Sequence, residues 1–245
     1  MRRSRHPRLC HNPRVIDASE HSLGDPVWSS LTTRQAQFSL GDGLARRYLP
    51  PISPIGALSG TRQAHLAALE ALVRVGDDVA LIGPSVPVLG RHWETLYASQ
   101  LLQMIRADAS PLAEGEVDVS ALDAEDVPEI LELVAVTKPG PFRVRTIELG
   151  SYIGIRERGR LVAMAGERMW LGRFREVSAV CTHPDLQGRG LARALVACVV
   201  NRMLARGETP FLHVDSPNRR AIEMYVGLGF VRRVDLPLLH IKRLE

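Results

Sequence analysis

The stretch HPDLQGRGLARALVACVV, His183 to Val200, decides how this chain is read. Gly188 and Gly190 flank Arg189 at the mouth of an apolar run, and Leu191, Leu195, Val199 and Met203 then recur every four residues. That spacing predicts a long helix, with Gly207 closing it. REVSAVCTH, just upstream, reads as a strand. Glycines at a strand-to-helix joint let a backbone come close to something. The candidates are a nucleotide, a phosphate, or another helix.

Three phosphate-binding patterns compete for this joint. The GxxxxGK[ST] loop is absent, since no lysine is near. The dinucleotide pattern GxGxxG is half met: Gly188 and Gly190 are spaced for it, but Arg193 holds the third position and would block close helix–strand packing. Glu208, where a ribose-binding acid would be sought, precedes its strand instead of ending it. The third pattern, [QR]-x-x-G-x-[GA], is met by Gln187, Gly190 and Ala192. Free N–H groups of Gly188, Leu191 and their neighbours at a helix start form an anion site, and the helix dipole adds to it. Arg189 and Arg193 add charge at the rim. Taken alone, the six residues serve equally as a glycine-rich packing corner.

Outward from this joint, PFLHV is a strand, SPNRRAIEMYVGLG a helix with Pro217 at its first position, and FVRRVDL and LLHIKRL two closing strands. Upstream, EVDVSAL alternates as a strand, and Val127, Ile130, Leu131 and Val134 share a helical face. KPGPFRVRTIELG is a loop with room for a short helix, and SYIGIRERGRLVAMAGERMW gives two strands around a turn at Glu157–Arg160. The order from residue 116 is β-α-β-β-β-α-β-α-β-β, a mixed α/β (α+β) domain with helices on its sheet. ADASPLAEGE, Ala107 to Glu116, is interrupted and polar and marks a boundary. Before it come a hairpin in AQFSLGDGLARRYL, an extended PPISPIGAL, and a helix with Leu66, Leu69, Leu72 and Val73 on one face, capped by Thr61 and ended by Gly76. The strand DVALIGP and a segment ending in a strand, HWETLYASQLLQMIRA, complete that half. No internal repeat is visible in the sequence.

SAVCTHPDLQGRGLARALV followed by PFLHVDSPNRRAIEMYVGLGF resembles the GNAT superfamily of acyl-CoA-dependent N-acyltransferases. The likeness is close over Val177–Phe230 and looser over Glu116–Leu244. Asn218, Ala221, Ile222, Tyr225, Gly229 and Phe230 form a second signature besides the glycines. Trp28–Arg106 resembles the N-terminal half of some two-part members. The resemblance implies a mostly antiparallel sheet flanked by helices, with a parallel strand pair that splays apart. It implies a basic tail over 1–20, expected to be disordered; a degenerate or lid-like half over 21–110; and a catalytic domain over 111–245.

The resemblance further implies acetyl-CoA as co-substrate, its pyrophosphate on the amides of Gly188 to Ala192 and its pantetheine arm along Val180, Cys181 and Thr182. Asn218 is a candidate partner of that arm, or simply a helix-start residue. An alkyl ammonium has a pKa near ~10.4, so the attacking amine must lose a proton. Glu176 is the first candidate base, with Glu148 and Glu167 behind it. Tyr225 occupies the position of a proton donor to the leaving thiolate, and a backbone N–H near Val180 would polarise the thioester carbonyl. An acyl-cysteine route through Cys181 would need a base, and His183 is the only histidine near it. His213 and His240 read as packing or surface residues. The expected activity is N-acetyl transfer to a primary amine, on a small molecule or a protein. The alternative is an acyl-CoA-binding regulatory module with little catalysis.

Composition bounds these readings. The chain has 245 residues and a formal charge of +4, which favours anionic partners. No basic stripe with interleaved aromatics is present, so nucleic acid is not indicated. The three cysteines, Cys10, Cys181 and Cys198, show no CxxC pair, which speaks against a metal site or a disulfide framework and suits a reducing, cytoplasmic compartment. No apolar run reaches the ~20 residues of a membrane span, and the resemblance leaves room for a homodimer.

Overall fold

The computed structural model describes residues 21–245; the expected basic tail and Cys10 lie outside them. The N-terminal half contains two short helices, α1 (His21–Gly24) and α2 (Pro26–Thr32), followed by β1 (Ser39–Gly41), β2 (Ala45–Tyr48), β3 (Ile55–Leu58), α3 (Gln63–Leu72), β4 (Asp78–Ile82) and β5 (Trp93–Ile105). The C-terminal half runs through β6 (Ser120–Leu122), α4 (Val127–Thr137), β7 (Tyr152–Glu157), β8 (Arg160–Leu171), β9 (Phe174–Thr182), α5 (Leu191–Ala205), β10 (Thr209–Asp215), α6 (Arg219–Val226) and β11 (Val231–Arg243). A 3-10 turn at Thr146–Leu149 fills the loop before β7.

All the strands form one 11-stranded sheet in the order β1-β2-β3-β4-β11-β5-β10-β9-β8-β7-β6. The order reveals a repeat that the sequence conceals. β1-β2-β3-α3-β4-β5 and β7-β8-β9-α5-β10-α6-β11 share their pairings, two antiparallel steps and then a parallel pair joined through a helix, and the second half adds α6 before its last strand. The last strand of each half crosses to the other half. β5 pairs with β10, β11 pairs with β4, and β5 and β11 pair with each other along their length. The sheet therefore runs uninterrupted across the boundary expected near residue 110.

The two sheet faces carry different layers. On one, α5 packs Leu191, Leu195, Val199 and Met203 onto Leu102, Met104, Val177, Leu212 and Val214. On the other, Leu23, Val27 and Leu31 of α1 and α2 pack onto Ile55, Ile82, Leu101, Phe174 and Phe211, while Ile130 and Leu133 of α4 cover Tyr152, Met164 and Cys181. Leu212 and Phe211 are neighbours in sequence and belong to opposite layers, as the period of 2 requires.

Several local expectations change. α3 starts after Arg62 with no side-chain cap, so Thr61 does not cap it, and the helix ends at Leu72, well before Gly76. Pro217 lies outside α6, whose cap is Asn218. The two closing strands are one, β11, bent by irregularities at Arg232/Val234 and His240/Ile241. Pro237 sits one residue before the β4 pairing begins, at a place where a missing N–H removes no rung on that side.

Candidate functional site

The site begins where two parallel strands part. β9 and β10 pair only at Phe174↔Thr209, Arg175↔Pro210 and Glu176↔Phe211. Beyond Glu176, β9 stays with β8 and bulges: Ala179 and Val180 both stand against Ala165, and Ala179 is held at φ 53°. A non-glycine residue there costs on the order of 1 kcal/mol, a strain typical of functional positions. Glu176 and Val177 are buried, and Ser178, Ala179 and Val180 after them are half-buried. The gap between Val177–Thr182 and Leu212–Asp215 therefore has one wall of unpaired backbone.

Gln187 to Arg193 stands at the end of this gap. Gly188 and Gly190 have φ of 84° and 80°, and a Cβ at either would meet nothing within 4 Å. The turn thus needs glycine for its backbone conformation and leaves open space above it. Gly190 is the N-cap of α5 and offers no side-chain cap. Among the described residues, the amides of Gly188, Arg189, Gly190, Leu191, Ala192 and Arg193 find no protein acceptor; the first bonded amide of the helix is that of Ala194, to Gly190 O at 3.0 Å. Six unfilled donors around open space fit a pyrophosphate.

The remaining candidates divide. Leu191 is buried in the core and contributes only its amide. Arg189 pairs with Glu157 at 2.8 Å on the surface. Arg193 turns away from the cradle and donates to Gly227 O at 2.9 Å, tying α5 to the end of α6. Gln187 accepts from Arg220 at 3.2 Å, a second tie between the cradle and α6. Asn218 spends its side-chain oxygen on the amide of Ala221 at 3.2 Å, so it is the helix cap. Val180 and Thr182 edge the gap, and the Thr182 hydroxyl is buried without a partner among the described residues. Cys181 points to the α4 side, where burial pushes its thiol up to about 11. A thiol so held is not a nucleophile at neutral pH.

Tyr225 comes off α6 into the α5-side core, edge-on to Phe230 at 5.9 Å. Its hydroxyl has no protein partner among the described residues, and burial alone pushes its pKa above the ordinary phenol range. It is a neutral donor with its bond unspent.

Glu176 is the last residue of β9 before the gap and is fully buried. Its two oxygens accept from Arg168 Nε at 2.8 Å and Nη2 at 2.7 Å, from the Met169 amide at 3.2 Å, and meet His213 Nδ1 at 2.8 Å. Burial alone would raise its pKa, but the Arg168 charge, the Arg168 hydrogen bonds and His213 override it and hold the carboxyl far below the usual carboxylate range. That environment belongs to an anchored ion pair, so the geometry argues against Glu176 as a base. Glu167 is equally engaged, with Arg175 at 3.0 Å and Arg206 at 2.7 Å, and Glu148 pairs with Arg145 at the surface.

Arg168, Gln103 and His213 were not found by sequence reasoning. Gln103 on β5 donates to His213 Nε2 and to Leu23 O, both at 3.0 Å, and accepts from Arg233 at 2.9 Å. The His213 ring thus bridges the two, with Nδ1 on Glu176 and Nε2 on the Gln103 amide. The only sequence signal was a charged pair inside an apolar strand, Glu167 and Arg168 within LVAMAGERMWL. No group of His, Cys, Asp and Glu that could hold a metal occurs among the described residues, and none of the helices there is long and apolar enough to cross a membrane.

Comparison with known proteins agrees with this geometry. The family FR47-like protein matches residues 152–236, from β7 into β11. The N-alpha-acetyltransferase RimI of Mycobacterium tuberculosis is 33% identical over 135 residues, 51% of this chain and 82% of that protein. The mycothiol acetyltransferase of Kocuria rhizophila is 43% identical over 58 residues, 23% of this chain and 19% of that one. A solved structure of a GNAT-family protein from Novosphingobium aromaticivorans covers 92% of this chain and 100% of its own, with 36% identity and a TM-score of 0.85. A GCN5-related N-acetyltransferase from Kribbella flavida shares the fold, with 17% identity, coverage of 93% and 95%, and a TM-score of 0.56.

Proposed function

This chain belongs to the GNAT family of acetyltransferases, and on that premise we propose that it transfers the acetyl group of acetyl-CoA to a primary amine by direct attack. The observation that carries the reading is the row of six acceptor-free amides from Gly188 to Arg193, beside the gap where β9 leaves β10. The cradle holds the pyrophosphate, and the edge of β9 at Val180–Thr182, which β10 leaves unpaired, takes the pantetheine arm as an added strand. The thioester reaches the rung just beyond Glu176.

The amine lone pair forms the N–C bond, and the C–S bond breaks with its electron pair on sulfur. The sulfur gains a proton and the nitrogen loses one, giving an amide and the free thiol. Tyr225 hydrogen-bonds the departing sulfur and relays a proton to it, regaining one from solvent to close the cycle: its phenol is neutral, unpartnered among the described residues and on the α5 side of the gap. Glu176 is reassigned from base to anchor, because it holds Arg168, His213 and the Met169 amide in place. The nitrogen's proton leaves through the open wall at Ser178–Val180, where solvent reaches the gap. Residues 111–245 carry this chemistry. Residues 21–110 are a degenerate copy that completes the sheet.

One observation favours the competing reading of a binding module with little turnover: all three candidate carboxylates are ion-paired. Calorimetry with acetyl-CoA, followed by thiol release over a panel of amines, separates the two. The panel should contain alpha-amino groups, the acceptor class for which the RimI relative is named. Binding with turnover on at least one amine supports the transferase, and binding with none supports the module. Absence of binding removes both.

A further inference from the structure

The sheet face that carries Tyr152 holds a second phenol that the mechanism above leaves unused, in a row of residues leading to the gap. Tyr152 on β7 pairs with Gly166 on β8, and Gly166 pairs with Ser178 on β9. Ser178 lies two residues past Glu176, the last position of β9 that pairs with β10, and across the gap the same step along β10 reaches His213. Tyr152, Gly166 and Ser178 thus form a single row that ends at the gap. A Cβ at Gly166 would lie 2.2 Å from Tyr152 Cδ1, so the tyrosine ring crosses β8 directly over that glycine. Phe142 holds the ring from the side, edge-on at 5.4 Å.

Tyr152 is 2% exposed, and its hydroxyl has no hydrogen-bond partner among the described residues. The charges that act on it most strongly are Arg168 and Glu176, the pair at the foot of the gap. An orphaned buried hydroxyl is a cost to the fold, and here nothing in the fold offsets it. Burial keeps the phenol neutral, hence a donor.

We infer that Tyr152 is a catalytic residue of the acyl transfer, its phenol donating a hydrogen bond to the acyl oxygen as negative charge collects there. The inference rests on the donor-site reading above. It places a phenol on each face of the sheet, Tyr225 toward the sulfur and Tyr152 toward the oxygen. A donor that meets its acceptor only in the transition state acts on kcat and leaves substrate binding alone.

The test is Tyr152→Phe, with acetyl-CoA affinity, the KM of each substrate, kcat and the thermal midpoint all measured. We expect kcat to fall on the order of 100-fold, with acetyl-CoA affinity and both KM values unchanged. The thermal midpoint should hold or rise, because the variant removes an unsatisfied buried group. A kcat within twofold of wild type overturns the inference, as does a loss confined to the KM of the amine. A variant that fails to fold also overturns it, since the hydroxyl would then be structural. If wild-type protein does not bind acetyl-CoA, the donor-site reading fails first and this inference falls with it. If wild type turns over and the variant does too, only the inference fails.

Discussion

The two halves of the sheet repeat one topology and differ in what stands at the parting of the parallel strands. In the C-terminal half, β9 and β10 separate beside a turn with two glycines at positive φ and a row of free amides, at the head of α5. In the N-terminal half, β3 and β4 also part, after Gly56↔Leu81. There the turn into α3 reads SGTRQ, and the gap has shrunk to a cavity of about 100 Å³ lined by Asp25, Ala57, Ser59, Gly60, Gly83 and Ser85. A carboxylate lines this cavity, and the turn before α3 has no glycine at positive φ. The repeat teaches that the fold supplies the gap and the local sequence decides whether an anion enters it. Each half also buries an arginine on its second strand. Arg168 has a full carboxylate partner. Among the described residues, Arg47, 2% exposed, reaches the Asp78 carbonyl at 3.4 Å and leaves Nε and Nη1 without partners.

The buried arginines give the largest expected difference between the halves. Arg168→Met leaves Glu176 buried without its countercharge and should cost about 3–5 kcal/mol in urea unfolding at pH 7. Arg47→Met removes a poorly satisfied cation and should change stability by less than about 1 kcal/mol, or raise it. Equal losses would break the contrast. The pH dependence sharpens it. The folded Glu176 carboxyl titrates below its unfolded value of about 4.3, so the unfolded chain binds more protons between the two values. The stability from Glu176 is thus complete above about pH 5 and declines as pH falls toward the folded value. Glu176→Gln should be less stable at neutral pH and lose less on acidification; an unchanged acid limb would show that the pair does not act as described.

Next in size is the cradle. Gly190→Val forces a β-branched residue to positive φ and fills the open space, and should weaken acetyl-CoA binding on the order of 100-fold, about 2.7 kcal/mol. Thr61→Val, at the corresponding turn before α3, should leave the dissociation constant within twofold. Tyr225→Phe comes third: kcat should drop roughly 10- to 100-fold, with the acetyl-CoA KM unchanged. Unchanged turnover would remove Tyr225 from the mechanism. Asn218→Ala has the smallest effect. It should cost about 1 kcal/mol of stability as a lost helix cap and leave acetyl-CoA affinity alone; a large affinity loss would return Asn218 to the binding site.

The elements that carry the candidate site were legible in the sequence. The spacing of Gln187, Gly190 and Ala192 and the four-residue rhythm of α5 follow from local pattern, and the place of Tyr225 and the parting strands followed from the family resemblance. What stayed hidden depends on which strand lies beside which. The exchange of β5 and β11 between halves has no local signal, because a strand does not announce its partner. β11 reads as two strands because Pro237 interrupts it, and its continuity depends on β5 lying alongside. The carboxylates misled for the same reason: Glu176 looks free until Arg168, eight residues back on a different strand, and His213 from β10 are placed against it. Tyr152 gave no sign of function, since its unpaired hydroxyl is visible only once Gly166 is known to lie under its ring.

The central claim is that one half of a duplicated sheet holds one acyl donor, at the amides of Gly188–Arg193. Titration calorimetry of the full chain with acetyl-CoA, on wild type and Gly190→Val, tests it most directly. The account predicts one acetyl-CoA per chain for wild type and a roughly 100-fold weaker affinity for the variant. Two molecules per chain, or an affinity that Gly190→Val leaves unchanged, would contradict it.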